Sequence, residues 1–274
     1  MTRTLRDRDG KTVDGFAKRT WMGYAEEHFV ELDFGDKLKE MPADKPVYLV
    51  AAGWTDYPYP ESILAATQAG IAMLPPVLER QSPDGKWVRL GDLGFPAGLP
   101  KVMTAPVGDW LKAGTGSKFR IRTNLQIYWD QLFLGVAETP ATVHELLPVR
   151  AVLSNPGFVQ EITTGGKPPQ AYDPNRFEAV AVTKWKGAFT TVGDVTALLA
   201  KVDDRFVLCG PGQEVTVTFD AAKLPPLTDG WVRSFVLRTH GYCKDTAPTT
   251  VTGGEVGPLP FRGMTAYPPP AGRR

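Results

Sequence analysis

The stretch "RIRTNLQIYWDQLFLG", residues 120–135, decides the fold class of this chain. Counted from Phe119, one row of side chains is Phe119, Ile121, Thr123, Leu125, Ile127 and Trp129. The other is Arg120, Arg122, Asn124, Gln126, Tyr128 and Asp130. Residues two apart on a strand share a face, so this alternation predicts a β-strand with one buried and one polar side. The polar row reads as wet sheet over most of its length. Its end, where Tyr128 and Asp130 put an aromatic beside a carboxylate, is a candidate site.

Working outward, the same period recurs. "HFVELDF" (28–34) sets His28, Val30, Leu32 and Phe34 against Phe29, Glu31 and Asp33. "PVYLVAAGW" (46–54) is continuously apolar, as a strand covered on both faces should be. "KWVRL" (86–90) follows "SPDG", a hairpin-closing turn signal. Further strands are expected at "FEAVAVTKW" (177–185), "RFVLCG" (205–210), "EVTVTFD" (214–220) and "WVRSFVLRTHGY" (231–242). In "EVTVTFD" the pattern points Val215, Val217 and Phe219 inward. Helix is limited to "ESILAATQAGIAM" (61–73) and "GDVTALLAKV" (193–202), the latter capped by Asp194. With 25 Pro and 28 Gly punctuating the chain, the expected fold is all-β with few short helices. Its architecture is a jelly-roll-like (galactose-binding-like) β-sandwich over 1–154, a Gly/Pro-rich connection over 155–174, and a second packed β lobe over 175–274 ending in an extended tail.

Composition narrows the function. The 274 residues carry 31 Lys+Arg against 30 Asp+Glu, a net charge of +1. Nucleic-acid binding is not expected, because neutralising phosphates needs a basic excess or stripe. The one basic cluster is Lys118, Arg120 and Arg122. No run approaches the ~20 apolar residues of a membrane helix, so no membrane partner is expected. "MTRTLRDRDGKTVDGF" lacks the apolar core of a signal peptide; as written the chain is expected in the cytoplasm, or outside it if excised from a longer secreted protein. Cys209 and Cys243 are too few for a disulfide scaffold or a four-cysteine zinc site. Buried thiols on neighbouring strands are the preferred reading, a single bridge the alternative.

Motifs for chemistry are sparse. No phosphate-binding glycine loop occurs, and "GPGQEV" (210–215) reads as a turn between strands. "THGYCKD" (239–245) brings His240 near Cys243, but strand residues three apart point to opposite faces. No cofactor is predicted. Calcium is the one ion to consider, because Asp203 and Asp204 offer hard oxygen ligands, although paired acids before a strand are also ordinary turn residues. The clearest recognition feature is "GWTDYPYPES" (53–62), with Trp54, Tyr57 and Tyr59 after a buried strand. Such rings either form stacking platforms for a carbohydrate or protein partner or cap the end of the sandwich. Lys244 and Asp245, just past an expected strand, are further candidate ligand contacts.

Several stretches together resemble the C-terminal region of large bacterial proteins that carry FG-GAP-type propeller repeats, an ASPIC/UnbV module and tetratricopeptide repeats. They are "HFVELDFGD", "GWTDYPYPES", "LGDLGFPAGLPK", "RIRTNLQIYWDQ", "GDVTALLAKVDDRFVLCGPGQEV", "FDAAKLPPLTDGWVRSFVL", "GYCKD" and "PLPFRGMTAYP", spread over residues 7–268. The resemblance implies an accessory β domain and carries over no catalytic motif. The strand order as far as Trp129 is also similar to that of galactose-binding, discoidin-like jelly rolls. The expected function is a non-catalytic binding or interaction module. The alternatives are a polysaccharide-acting enzyme using paired carboxylates such as Asp203, Asp204 or Asp245, and a structural or assembly domain.

Overall fold

The computed structural model describes residues 5–42, 44–112, 116–137, 143–167, 169–178, 186–187, 189–203, 205–241, 243 and 255–256. The fold is all-β with few short helices. The chain divides into two compact units, Met1–Ala141 with Thr163–Ala171, and Thr142–Ile162 with Tyr172–Arg274.

The first unit contains β1 (Tyr24–Asp33), β2 (Val47–Thr55), α1 (Pro60–Gln68), β3 (Val77–Gln81), β4 (Trp87–Asp92), β5 (Gly98–Pro106), α2 (Gly108–Lys112), β6 (Lys118–Leu125) and β7 (Ile127–Val136). Two antiparallel sheets form, in the orders β1-β6-β3-β4 and β5-β2-β7. The row of side chains that predicted a single strand is shared between them. At Gln126 the chain leaves the first sheet and enters the second. Phe119, Ile121 and Leu125 from one side of the corner, and Ile127 and Trp129 from the other, enter one apolar core. Leu49, Ala51, Leu78 and Val107 complete its centre. Alternation survives the corner because both sheets turn the same row of the chain inward. It cannot show that the neighbours change.

Gln126 makes the corner tolerable. A chain leaving a sheet strands backbone polar groups that need partners when buried. Its N–H donates to the Gly23 carbonyl at 2.9 Å, its carbonyl accepts the Asp56 N–H at 3.1 Å, and its side-chain Nε2 donates to the Tyr24 carbonyl at 2.8 Å.

A second departure lies four residues on. The β2–β7 register shifts between Ala52 and Gly53, which face Gln131 and Trp129, so Asp130 is the extra residue of a bulge. Beyond it the inward residues change parity from Ile127 and Trp129 to Leu132 and Leu134. The free edge of β7 is covered by the N-terminal segment, through Val13 N–H to the Trp129 carbonyl and Leu132 N–H to the Leu5 carbonyl, both 2.9 Å. Covering an edge removes the open ladder through which sheets aggregate.

On the outer face of the first sheet, Glu79 is buried and accepts from Arg120 Nε at 2.5 Å and Arg122 Nε at 3.0 Å. Arg122 also pairs with Glu27 at 3.0 Å, and Arg120 lies between the Phe29 and Trp87 rings. Two charges of the basic cluster are therefore matched by carboxylates of the same sheet. That face is a charged lid on the strands.

In the second unit, β8 (Arg150–Ser154) is the centre of a three-stranded sheet with β12 (Gly193–Asp194) and β13 (Glu214–Thr218), while β9 (Phe158–Glu161) pairs with β10 (Tyr172–Glu178). A parallel pair joins β11 (Lys186–Gly187) to β14 (Glu255–Val256). β8 thus pairs with strands well beyond residue 154, where the sequence pattern places the end of the first lobe. The buried core is Ala151, Leu153 and Val195, with Leu198, Leu199, Val207 and Val215 packed on it. A short helix, α3 (Thr196–Leu199), follows β12; the Thr196 N–H donates to Asp194 Oδ1 at 2.8 Å.

Three expectations fail here, and a fourth falls largely outside the described residues. Residues 205–210 and 231–241 form no strand, because among the described residues no neighbour offers them a ladder. Val217 and Phe219 are exposed, and only Val215 of that row reaches the core. Cys209 and Cys243 are exposed free thiols outside any strand, neither buried nor bridged. The rest of the expected strand at 177–185, past Phe177 and Glu178 in β10, lies outside the described residues. Among the described residues no helix is long and apolar enough to cross a membrane.

Candidate functional site

The aromatic candidates meet in the first unit where β2 and β7 run out. Trp54 and Tyr128 are a directly opposed cross-strand pair on the sheet face turned away from the core. Their rings are parallel within 4°, with centroids 4.0 Å apart. Phe16 closes on Tyr128 edge-on at 5.1 Å and lies flat on His28 at 4.7 Å. Lys18 Nζ stands 5.5 Å from the centre of the Tyr128 ring. Trp54 and Tyr128 are therefore buried together as a cap on the end of the sheet.

Asp130, the bulge residue, is also occupied: its Oδ1 accepts the Gly10 N–H at 3.1 Å and so helps hold the N-terminal segment. His28 Nδ1 donates to the Glu26 carbonyl at 2.9 Å, and burial pushes the imidazole below its ordinary pKa.

The exposed part of the site is the loop 56–59 between β2 and α1. Its backbone is pinned at three points. The Asp56 N–H is held by Gln126, Pro58 is fully buried, and Pro60 begins α1 with its φ already helical. Pro58 packs onto Gly23, where a Cβ would sit 2.5 Å from the Pro58 nitrogen. Between these anchors Tyr57 is 43% exposed and Tyr59 57% exposed. Tyr57 stacks on Phe95 at 5.9 Å and 20°.

Asp56 is half-buried, and among the described residues its carboxylate accepts no hydrogen bond. Burial raises its pKa above the usual carboxylate value, while the Lys18 ammonium pulls the other way. A carboxylate next in the chain to an exposed ring can hydrogen-bond hydroxyls at the edge of a ligand whose apolar face lies on an aromatic. Neither Asp56 nor Lys18 stands out in the sequence as a site residue. Asp56 is visible in "GWTDYPYPES" as the acid next to Tyr57; Lys18, 38 positions earlier, carries no signal of its own.

Of the other candidates, Asp203 lies among the described residues, in the second unit. Asp203 accepts the Arg205 N–H at 2.9 Å and is 3.4 Å from both Arg205 Nε and Lys201 Nζ. The Arg205 N–H, with those two cations, holds its carboxyl below the ordinary range. Asp204, Lys244 and Asp245 lie outside the described residues. Among the described residues no three His, Cys, Asp or Glu side chains are grouped to hold a metal ion. Neither a protein-family model, nor a curated protein, nor a solved structure matches this chain.

Proposed function

We propose that the first unit is a non-catalytic, jelly-roll-like module of the galactose-binding kind, accessory to a larger bacterial repeat protein of the ASPIC/UnbV, FG-GAP and tetratricopeptide class. In this reading it binds carbohydrate at the loop 56–59. Tyr57 and Tyr59 take the apolar faces of sugar rings, and Asp56 and Lys18 take hydroxyls at their edges. The single observation carrying the reading is that two exposed tyrosines flank the buried Pro58 on a loop whose first residue, Asp56, is held through its N–H. A side chain displayed on a rigid backbone loses little entropy on binding, which is what a weak, stacking-driven site requires. The alternation of the chain between two sheets supports the jelly-roll component.

The test is a thermal-shift panel of neutral mono- and oligosaccharides, galactosides among them, with calcium as a separate arm. A ligand preferring the native state at 100 times its Kd adds about 2.7 kcal/mol, an easily read rise in Tm. Tyr57→Ala with Tyr59→Ala should abolish that rise and leave the ligand-free Tm of the first unit nearly unchanged. No response to any sugar at millimolar concentration would overturn the proposal; a response to calcium alone would move attention to the acids at 203–204.

A further inference from the structure

The second unit exposes a surface that its own small core does not account for. In residues 231–237, Trp231, Val232, Phe235, Val236 and Leu237 are 66–88% exposed. The segment leaves a turn closed by the Trp231 N–H on the Thr228 carbonyl, at 3.0 Å. From Val232 to Gly241 the backbone has no hydrogen-bond partner among the described residues. Two features coincide: large apolar side chains in solvent, and a backbone whose donors and acceptors are unpaired among the described residues. That combination is the template for adding a strand.

We infer that this segment pairs antiparallel with the same segment of a second copy of the chain, about a two-fold axis at Ser234. The order of its residues argues for self-pairing. Around Ser234, "WVRSFVL" is matched to itself: Trp231 falls opposite Leu237 of the second copy, Val232 opposite Val236, and Arg233 opposite Phe235. An apolar side chain meets an apolar one at the outer positions. At the inner pair a guanidinium meets a ring, a favourable cation–π arrangement. No like charges are opposed, which antiparallel pairs penalise. A two-fold interface requires this kind of self-complementarity, where residue i meets j and j meets i.

One two-stranded ribbon then has Trp231, Arg233, Phe235 and Leu237 of both copies on one face, with Val232, Ser234 and Val236 on the other. This association is independent of the carbohydrate reading, since it uses only the second unit.

The experiment is sedimentation velocity and light scattering on the full chain across micromolar concentrations, with two variants. The native chain should show twice the monomer mass. Val236→Lys should return it to monomer, with its far-UV circular dichroism unchanged. Ser234→Cys, in a Cys209→Ser/Cys243→Ser background, places a thiol against its own counterpart; under mild oxidation it should give a disulfide-linked dimer that reductant dissolves. A chain that stays monomeric at every concentration overturns the proposal. So does a dimer that survives Val236→Lys and fails to cross-link through position 234.

Discussion

Trp54 and Tyr128 face each other across β2 and β7, ring on ring at 4.0 Å, on the outer side of a sheet whose inner side is already filled. Phe16, carried by the N-terminal segment, closes over the pair. The two aromatics are joined to one another, as rings that cap the end of a sheet are. Trp54→Ala should accordingly cost about 3–5 kcal/mol, as removal of a buried aromatic does, while Tyr59→Ala should stay within about 0.5 kcal/mol. Urea unfolding of both variants checks this. A double-mutant cycle on Trp54 and Tyr128 should return a coupling of about 0.5–1.5 kcal/mol.

Gly23 has φ +82° and lies against Pro58, with no room for a Cβ. Gly23→Ala asks an L-residue to hold a left-handed conformation and to push the proline out of its seat. A loss on the order of 3 kcal/mol is expected from strain and overpacking together. Because Pro58 lies between Tyr57 and Tyr59, the variant should also weaken sugar binding at temperatures where the protein remains folded. Calorimetric titration well below the lowered Tm reads that second effect.

Glu79 accepts from both Arg120 and Arg122 while buried on the outer face of the first sheet. Glu79→Gln removes one charge and leaves two guanidiniums close together. Breaking such a group by deleting one partner should cost on the order of 3 kcal/mol, lessened because the arginines keep some contact with solvent. Arg120→Met should cost less, since Arg122 still pairs with Glu79. Chemical denaturation of the two variants orders them.

Asp56 titrates above the usual carboxylate value because it is half-buried. Above its folded pKa the native state holds a charge that is better solvated in the unfolded chain, so ionised Asp56 opposes folding. As pH falls through the folded pKa, the native state takes up the proton before the unfolded state does, and the penalty is relieved. Asp56→Asn should therefore raise Tm at pH 7, and the gain should shrink as pH falls until it vanishes below the unfolded value near 3.8. Melting curves of both proteins across that range test the sign. A gain that grew toward acid would refute it.

Much of the first unit could be read from side-chain order. The strand at 28–34, the apolar strand at 46–54, the hairpin after "SPDG" and the inward row from Phe119 to Trp129 are each local patterns that the sheets reproduce. The second unit was less legible. "WVRSFVLRTHGY" has strand composition, yet 231–241 has no ladder, because pairing depends on what lies alongside rather than on the segment itself. The parity change at Asp130 was written in the chain, as the step from Ile127 and Trp129 to Leu132 and Leu134, but it becomes a bulge only once β2 supplies the register.

Taken alone, the order of residues determined which side chains turn inward and where turns interrupt them, since both follow from backbone geometry within a few residues. Tertiary structure alone decided that one alternating row serves two sheets through Gln126, and that Trp54 and Tyr128 bury each other. It also decided that Asp56 is half-buried within the field of the Lys18 ammonium. Those outcomes depend on which distant strands become neighbours, and a period of two is the same whoever the neighbour is.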